Sequence, residues 1–511
     1  MRRGRHLRRQ TSIVGACVLG VALVSGTVGA VPGATHTSLL PVPAAWGSPP
    51  AVRYQGVDCR TVGACTIAGN ALVSSVRLPV VDTQRSGTWA VPQEVAFPAG
   101  AGVGATGGFT SIACPTQGDC LAVGSYTAGA TTDPMIATET ANVWAAASSA
   151  IPVPTGATQA ELAGISCPSA GACVVVGVAS TTKKTIFSFV DQQVTGVWQP
   201  SVTLPNPTSP KVATPIGPDP YAISCASANS CVVVGVLIGK HHEAAFAQTD
   251  DSGSWTPRVF TSLGTFTILQ AVDCVSPSFC MASGTLSPTS TGGIAPFSVS
   301  LTAGKWSGEV VLPWRFPAPN TNGGFLYGVS CASTTRCVAV GGLLGTSADF
   351  AVAYTWSHGV WSAPGLVASP AIHGRPSSAI VEMSSCPTTS KDCEAIGTAI
   401  PRAGGDHPFS TVLQPISHGS APGAPSSIAV TARHGAFDVG WHGPTTYGGS
   451  PITSFVVIAR SPGEPASSCV TVALGCTVGG IAPHHTYTVD VSARNATGHV
   501  GPTARRTAAS G

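Results

Sequence analysis

Charged residues are scarce in this chain of 511 residues, since only 9% are Asp, Glu, Lys or Arg. Aromatic residues are also few, at 6%. After residue 30 no apolar run exceeds the length of a strand, and the longest extends from Val232 to Gly239. The low charge excludes a disordered polyelectrolyte and a nucleic-acid binder with a basic stripe. The short apolar runs exclude a membrane span beyond the N-terminus.

Glycine and proline are abundant instead, with 60 and 42 residues. Together they disfavour long helices and predict many turns. The chain is longer than one ordinary domain, so two or more folded units are expected.

Residues 1–30 have the features of a signal peptide. Five arginines precede an apolar stretch, and Val28-Gly29-Ala30 offers a cleavage site. The competing interpretation is an uncleaved membrane anchor, because residues 13–30 are largely apolar. Glycine, serine and threonine within the run favour cleavage, and hence a secreted or cell-surface-associated protein without a membrane span. The remaining chain holds 20 basic and 22 acidic residues, which gives no attraction for nucleic acid.

Sixteen cysteines follow this segment, an even number that is typical of exported disulfide-bonded proteins. They fall into eight close pairs: Cys59/Cys65, Cys114/Cys120, Cys167/Cys173, Cys225/Cys231, Cys274/Cys280, Cys331/Cys337, Cys386/Cys393 and Cys469/Cys476.

The first seven pairs belong to an internal repeat. Its pattern is plain in ISCPSAGACVVVG at 165–177 and ISCASANSCVVVG at 223–235, and a glycine always stands four residues after the second cysteine. The first cysteines are 55, 53, 58, 49, 57 and 55 residues apart. Such a fixed period indicates seven copies of one supersecondary unit.

Each unit is predicted to contain four short strands, the first two forming a hairpin that carries both cysteines. Six units have a tryptophan 30 to 32 residues after the first cysteine, which is interpreted as a packing anchor of the last hairpin. These residues are Trp89, Trp144, Trp198, Trp255, Trp306 and Trp361.

The seventh unit lacks this tryptophan, whereas Trp46 precedes the first unit without a partner. We therefore expect the N-terminal strand around Trp46 to supply the missing outer strand of the seventh unit. Seven four-stranded repeats closed in this way predict a seven-bladed β-propeller over residues 42–415.

Facing positions of a hairpin lie within disulfide range, and each local bridge is worth roughly 2 kcal/mol. The pairs are therefore predicted to be disulfides within each unit. Zinc is the alternative, but five intervening residues and the absence of a recurring histidine disfavour it.

The repeat resembles secreted bacterial propellers of the Asp-box (sialidase-like) and photosystem-assembly-factor types. Thr249 to Trp255 approaches an Asp-box turn but is one residue shorter than that pattern.

Beyond a Pro/Gly/Ser-rich linker at 416–424, residues 421–508 resemble a fibronectin type III domain, which implies a β-sandwich. Trp441 matches the core tryptophan of that family, while Ile481, Pro483 and Tyr487 match its tyrosine corner. Ala493, Asn495 and Gly498 match the end of its sixth strand. Cys469/Cys476 is interpreted as one more local disulfide.

Few residues point to chemistry. Asp58 and Asp273 directly precede the first cysteine of units one and five, where the other units have Ser or Ala. They are weak binding candidates, as a polar or cation-binding lining of the channel, and tolerated substitution beside water is the favoured interpretation.

Other polar groups are weaker still. Adjacent histidines in His241-His242 and His484-His485 point to opposite faces of a strand, and Asp250–Gly253 is expected to be a turn. Tyr54, Tyr221 and Tyr327 are interpreted as core positions. No catalytic residue, metal ligand or cofactor is assigned, because no nucleophile elbow, phosphate loop or dinucleotide fingerprint occurs in a suitable context.

The preferred function is therefore a secreted binding or scaffold protein whose propeller presents a loop-rich face to a glycan, a cell-wall polymer or a protein. The alternative is a secreted carbohydrate-active hydrolase or lyase, because the related propellers include sialidases. Sialidases use an arginine cluster with a Tyr/Glu pair, and the sparse Arg and Tyr here show no such set. Two carboxylates and an arginine meeting at one end of the channel would favour the enzyme. The ligand and the oligomeric state do not follow from the sequence.

Overall fold

The computed structural model describes residues 34–46, 51–212, 215–240, 242–261, 264–288, 293–314, 321–345, 348–357, 359–368, 370–372, 378–401, 405–414, 421–444, 452–471, 474–495 and 499–510. They form strands and turns, together with one short 3-10 helix, Ala44–Trp46. The expected all-β class is confirmed. The signal-like segment 1–30 lies outside the described residues.

Residues 34–413 contain seven similar antiparallel modules, and modules 4 and 5 are joined into one nine-stranded sheet by a parallel bridge between Glu243 and Phe266. The N-terminal strand is β1 (Ala34–Leu39). Modules 1 to 3 contain β2 (Ala51–Thr61), β3 (Ala64–Val73), β4 (Val76–Arg85), β5 (Thr88–Trp89), β6 (Gln93–Glu94), β7 (Thr106–Thr116), β8 (Asp119–Ala128), β9 (Thr131–Thr140), β10 (Val143–Trp144), β11 (Ala157–Ser169), β12 (Ala172–Thr181), β13 (Ile186–Val194), β14 (Val197–Trp198) and β15 (Val202–Thr203).

Modules 4 to 7 continue the same order. Their strands are β16 (Pro215–Ser227), β17 (Ser230–Gly239), β18 (Glu243–Asp251), β19 (Ser254–Phe260), β20 (Gly264–Ser276), β21 (Phe279–Pro288), β22 (Ala295–Thr302), β23 (Lys305–Trp306), β24 (Val310–Val311), β25 (Thr321–Ser333), β26 (Arg336–Gly345), β27 (Phe350–Ser357), β28 (Val360–Trp361), β29 (Gly365–Leu366), β30 (Ser378–Ser385), β31 (Cys393–Ile400) and β32 (His407–Leu413).

Each module has three long strands, and in the first six a short strand carrying the recurring tryptophan follows them. Trp89, Trp144 and Trp361 are buried, as expected for packing anchors, whereas Trp198, Trp255 and Trp306 are half-buried against the hydrophobic clusters. The first and second strands form a hairpin with the two cysteines at its closed end.

All seven cysteine pairs of the modules are disulfide-bonded, with Cα atoms 3.9–4.2 Å apart. This separation is shorter than the Cα–Cα distance of about 4.5–5.5 Å that facing residues of a hairpin ordinarily have. The bonded pairs are Cys59–Cys65, Cys114–Cys120, Cys167–Cys173, Cys225–Cys231, Cys274–Cys280, Cys331–Cys337 and Cys386–Cys393.

The disulfides are also buried, although a disulfide that only closes a hairpin loop could be exposed. The second cysteine is at most 2% exposed in every module. Cys173 packs in the hydrophobic cluster between modules 2 and 3, Cys280 in the cluster between modules 4 and 5, and Cys337 in the cluster between modules 5 and 6. The predicted pairing within each unit is confirmed, and these three cysteines also contribute to the hydrophobic clusters between modules.

The fourth strand of module 7 comes from the other end of the repeat region. Strand β1 pairs antiparallel with β32, with Leu39 opposite Phe409. The donated strand therefore ends seven residues before Trp46 instead of surrounding it. Trp46 lies in the 3-10 helix and packs, half-buried, on a cluster that contains Tyr54, Trp89 and Ile396.

Packing between modules follows chain order and then returns to the start. Seven hydrophobic clusters each combine residues of two successive modules, and the last combines module 7 with module 1. Alternating side chains of the long strands supply both faces of each sheet, which explains why these strands are rich in Val, Ala and Ile.

The C-terminal residues form two further sheets. Their strands are β33 (Ser426–Arg433), β34 (Ala436–His442), β35 (Ile452–Arg460), β36 (Ser467–Thr471), β37 (Gly475–Gly479), β38 (Thr486–Asn495) and β39 (Ala504–Ala509). One sheet has the order β33-β34-β37 and the other β36-β35-β38-β39. A separate core between them contains Trp441, Val457 and Tyr487.

Candidate functional site

Asp58 and Asp273 are the two acidic candidates from the sequence, and the structure gives both of them a hydrogen-bonding role. Oδ2 of Asp58 accepts the main-chain N–H of Cys114, in the next module, at 2.7 Å. Oδ2 of Asp273 accepts the N–H of Cys331 in the same way, also at 2.7 Å. Each carboxylate therefore ties its module to the following one.

Serines at the corresponding position do the same in four other modules. We call this hydrogen bond, from the N–H of a first cysteine to the side chain before the first cysteine of the preceding module, the cysteine clasp. The serine clasps, with N–O distances of 2.9–3.0 Å, are Cys59 to Ser385, Cys225 to Ser166, Cys274 to Ser224 and Cys386 to Ser330. Ala113 has no side-chain oxygen, so Cys167 has no clasp. Serine or aspartate at this position therefore makes a recurring structural contact, and Ala113 is the exception.

The cysteines themselves offer no reactive group. All sixteen between Cys59 and Cys476 are disulfide-bonded, so within the described residues there is no free thiol to act as a nucleophile or a metal ligand. Cys173, Cys280 and Cys337, each 0–2% exposed, are out of reach of a ligand. The disulfide positions predicted from the sequence therefore support the modules and are not part of the candidate binding site.

Burial raises the pKa of both carboxyls, and the charge of Asp58 adds to the increase at Asp273. Asp58 belongs to module 1 and Asp273 to module 5, so this interaction indicates that first strands of distant modules approach one another. Arg60 offsets part of the effect at Asp58, with Nη2 3.5 Å from Oδ1.

A β-bulge interrupts the first strand of every module at the same place. In module 1 Tyr54 faces Gly69 and Gly56 faces Ala68, so that Gln55 is the additional residue. The residues at this position are Gln55, Thr110, Ala163, Tyr221, Gln270, Tyr327 and Glu382. A bulge re-aims the extra side chain. Gln55 is exposed and the other six are half-buried, in strands that are otherwise mostly buried.

The recurring glycine after the second cysteine explains why the bulge can form. A Cβ atom on Gly69 would overlap the main-chain carbonyl of Arg53, and the corresponding glycines of the other six modules have equally close neighbours. The glycine is required by close backbone approach. Two of the tyrosines assigned to the core from the sequence, Tyr221 and Tyr327, are in fact bulged and half-buried, and only Tyr54 is buried.

Arg53, two residues before the bulged Gln55, lies beside polar side chains of modules 6 and 7. Its Nη2 is 2.5 Å from Oδ2 of Asp406, in the loop before β32. Glu382, the bulged residue of module 7, accepts a hydrogen bond from Oγ1 of Thr398 at 2.7 Å. Its pKa is raised by burial and by Asp406, while Thr398 and Arg53 lower it.

Tyr327 of module 6 lies near Arg53 and Glu382, and Asp349 of the same module lies near Tyr327. Burial and the charges of Glu382 and Asp349 raise the pKa of Tyr327, whereas Arg53 lowers it. The ring of Tyr327 lies 4.8 Å from that of Phe325. We call Arg53, Tyr327, Asp349, Glu382 and Asp406 the Arg53 cluster.

The Arg53 cluster lies far from the disulfides along the strands. Arg53 precedes Cys59 by six residues, which is about 20 Å of extended chain. The cluster offers an accessible cation, three carboxyl groups and a phenol. It can bind hydroxyl or charged groups of a ligand and, with Glu382 protonated, can donate a proton.

A second acidic group lies on modules 3 and 4. Burial and the charges of Glu161 and Glu243 raise the pKa of Asp219 to about 7, against the lowering effect of the Tyr221 hydroxyl. Within the described residues no three His, Cys, Asp or Glu side chains are arranged to hold a metal ion.

The remaining sequence candidates lie in turns or outside the described part. Oδ1 of Asp250 accepts the N–H of Gly253 at 2.8 Å, which is the expected turn. His485 lies 3.5 Å from Glu464, and His484 occupies a left-handed turn conformation. His241 lies outside the described residues.

The C-terminal sandwich has the features expected from its resemblance. Trp441 is buried on β34, and the hydroxyl of Tyr487 accepts the N–H of Ala482 at 3.0 Å, which forms a tyrosine corner. Residues 420–508 match the family model of the fibronectin type III domain. In the type III domain, Cys469 on β36 is bonded to Cys476 on β37, so this disulfide joins the two sheets. Gly498 lies outside the described residues.

Solved structures similar to the chain include other such domains. The FN5 domain of Drosophila Lar is 20% identical over 18% of this chain and 100% of its own, with a TM-score of 0.15. The FN3 domain of human collagen XX is 17% identical with the same coverage and TM-score. Domains d3-d4 of the rat CD45 extracellular region are 13% identical over 28% of this chain and 69% of theirs, with a TM-score of 0.17. Likeness at this level carries no argument about function.

No curated protein sequence matches the chain. Among the described residues, no helix is long and apolar enough to cross a membrane.

Proposed function

We propose that the chain is an exported binding protein, a seven-bladed β-propeller followed by a linker at 416–424 and a type III domain. The proposal places the signal peptide at 1–30. Support for the propeller comes from the cyclic order of inter-module packing and from the pairing of β1 with β32. Eight disulfides and the type III domain support an extracellular location.

The Arg53 cluster is the proposed binding site, and its ligand is a glycan or a polysaccharide of the cell wall. The observation that carries this assignment is the convergence of Arg53, Tyr327 and Glu382 from three modules at one end. Sugars present hydroxyl pairs and apolar ring faces, which suit carboxylates, guanidinium and a tyrosine ring. A disulfide in every module holds such a site on rigid elements.

The test is a glycan array probed with residues 31–511 and with two variants. Arg53→Ala removes the cluster's cation, whereas Arg60→Ala removes a comparably exposed arginine on the same strand at the disulfide end. We expect the wild type and Arg60→Ala to bind the same glycans and Arg53→Ala to lose at least tenfold in affinity. Binding that survives in Arg53→Ala, or an array without any signal, would overturn the assignment.

A second candidate function, a carbohydrate-active hydrolase, is favoured by one specific observation. Arg53, Glu382 and Asp406 bring an arginine and two carboxyl groups together, and two carboxyl groups are the usual requirement for glycoside hydrolysis. Glu382, with its raised pKa, would be the proton donor, and Asp406, paired with Arg53, the ionised partner.

Chromogenic glycosides test this alternative. Turnover by the wild type that falls at least a hundredfold in Glu382→Gln, with glycan binding retained, would establish the hydrolase. Absence of turnover on glycosides whose sugars bind in the array would leave the protein as a binding module.

A further inference from the structure

The interface between modules 7 and 1 buries four polar side chains. Tyr54, Asp82, Gln84 and Glu394 are between 1% and 4% exposed. We call this interface the closing seam, because module 7 consists of strands from both ends of the repeat region. Its other residues include Trp89 and Ile396, which pack in one hydrophobic cluster.

One hydrogen bond crosses the closing seam between Gln84 and Glu394. Nε2 of Gln84 donates to Oε1 of Glu394 at 3.3 Å. The oxygen of Gln84, Oε1, and the second oxygen of Glu394, Oε2, have no hydrogen-bond partner among the described residues. Two buried acceptors without a proton between them are costly. A proton on Oε2 would let Glu394 donate to Gln84 and complete a reciprocal acid–amide pair.

Asp82 and Tyr54 are a second pair of buried polar side chains with unpaired oxygen atoms in the same interface. Oδ2 of Asp82 and the hydroxyl of Tyr54 are both buried without a partner in the described part of the chain. The charge of Asp82 raises the pKa of Tyr54, so the two groups lie near each other. Protonation of Asp82 removes a second buried negative charge.

No basic side chain compensates for these carboxyls. Burial raises the pKa of Glu394 to about 7, opposed only by hydrogen bonds from Gln84 and Ser410, and burial likewise raises that of Asp82 to about 7. Among the side chains that the structure describes, the other titratable groups on strands that pack here are Arg53, Asp58 and Arg60 on β2, Arg77 and Arg85 on β4, Glu382 on β30 and His407 on β32. None of them contributes to the shift at Glu394.

We propose that the closing seam is a pH-sensitive latch in which protonated Glu394 holds module 7 on module 1, and loss of that proton loosens the seam. Module 5 lacks such a device. At the positions of Asp82 and Gln84 it carries Val299 and Leu301, both buried, where it faces module 4. Module 3 also buries an acid, Asp191, at the position of Asp82. Only module 7 has an acid directly after its second cysteine, at Glu394, so the acid–amide pair acts where the two ends of the repeat region meet, and its opening exposes β1.

Hydrogen exchange with mass spectrometry, corrected for intrinsic rates, tests the latch at pH 5.5 and pH 8.0. We expect amides of β1 and β32 in the wild type to lose about tenfold in protection at pH 8.0. Amides of β22 serve as the internal comparison and should change less. Glu394→Gln keeps both hydrogen bonds to Gln84 at every pH, so its β32 should lose less protection than that of the wild type, and the loss that remains comes from Asp82.

Equal loss in the wild type and in Glu394→Gln would overturn the proposal, as would a wild type with unchanged protection of β32. Should Glu394→Gln fail to fold, the wild type alone decides. A loss at pH 8.0 concentrated in β1 and β32 supports the latch, and the same loss in β22 overturns it.

Discussion

The indole Nε1 of Trp89 donates a hydrogen bond to Oγ of Ser410, 321 residues away in the chain, at 2.9 Å. Both residues are buried. Trp361 of module 6 makes the equivalent bond to Ser298 of module 5, also at 2.9 Å. The contact that joins the last module to the first is therefore of the same kind as one between sequential modules.

Ser410→Ala should lower the free energy of unfolding by about 1–3 kcal/mol, because it leaves the buried N–H of Trp89 without an acceptor. Ser298→Ala is the matched control, since it removes the same bond to Trp361 between modules that are adjacent in sequence. Urea denaturation followed by tryptophan fluorescence measures both variants. A Ser410→Ala protein as stable as the wild type would show that the bond between modules 7 and 1 does not contribute.

Ala113→Ser should stabilise the protein by about 1 kcal/mol, because it supplies the missing cysteine clasp to the N–H of Cys167. The reverse change, Ser166→Ala, removes the existing clasp to Cys225 and should destabilise by a similar or larger amount. Differential scanning calorimetry of the three proteins provides the comparison. If Ala113→Ser lowers the melting temperature, the serine hydroxyl does not reach its intended donor.

Stability should fall as the pH rises from about 4 to about 7. Burial raises the pKa of Asp82, Asp191 and Glu394 to about 7, so the folded protein binds protons that the unfolded chain has already released. The stabilisation is complete below the unfolded pKa and is lost as the pH passes the folded pKa. Each group is worth about 3 kcal/mol at most over this range.

Urea midpoints at pH 4.5, 6 and 8 measure this dependence. Asp191→Asn, which removes one buried ionisable group far from the closing seam, should flatten the profile between pH 4.5 and pH 8. A profile that rises towards pH 8 would contradict the direction of all three shifts.

Tyr487→Phe should destabilise the type III domain by about 1–3 kcal/mol, because the N–H of Ala482 loses its acceptor while the packing of the ring is retained. Hydrogen exchange of β38 in the full chain reports the change locally. Protection in the first seven modules should stay at its wild-type level, and a loss there would mean that the effect is not confined to this domain.

Much of the architecture was predictable because it is local. The spacing of Cys225, Cys231 and Gly235 predicts a disulfide-bonded hairpin, since two residues six positions apart can face each other across a short antiparallel hairpin. The donated strand was predicted in outline from the unpartnered Trp46 and the missing tryptophan of the seventh unit. Its position, Ala34–Leu39, was not, because ATHTSL has no strong strand signal and pairs only with a distant edge.

The candidate site was less accessible. Arg53 lies 274 residues before Tyr327 and 329 residues before Glu382, and each belongs to a first strand that looks ordinary by itself. The recurring glycine was the available signal, because it marks the close backbone approach beside every bulge. Alternation of apolar and polar residues does not predict which face of the sheet a bulged residue such as Tyr327 occupies. The one additional residue of the bulge breaks the alternation, so the side chain no longer points to the core face.

The sequence alone determined the number of modules, their cysteine pairs and the type III domain, since each is set by residues close together in the chain. Tertiary structure decided which module donates a clasp to which, and that Asp58 and Asp273 act as clasps. It also brought Arg53 beside Asp406 and left Glu394 facing Gln84 in a buried interface. These relationships depend on burial and on the approach of distant strands, quantities that no local pattern of residues specifies.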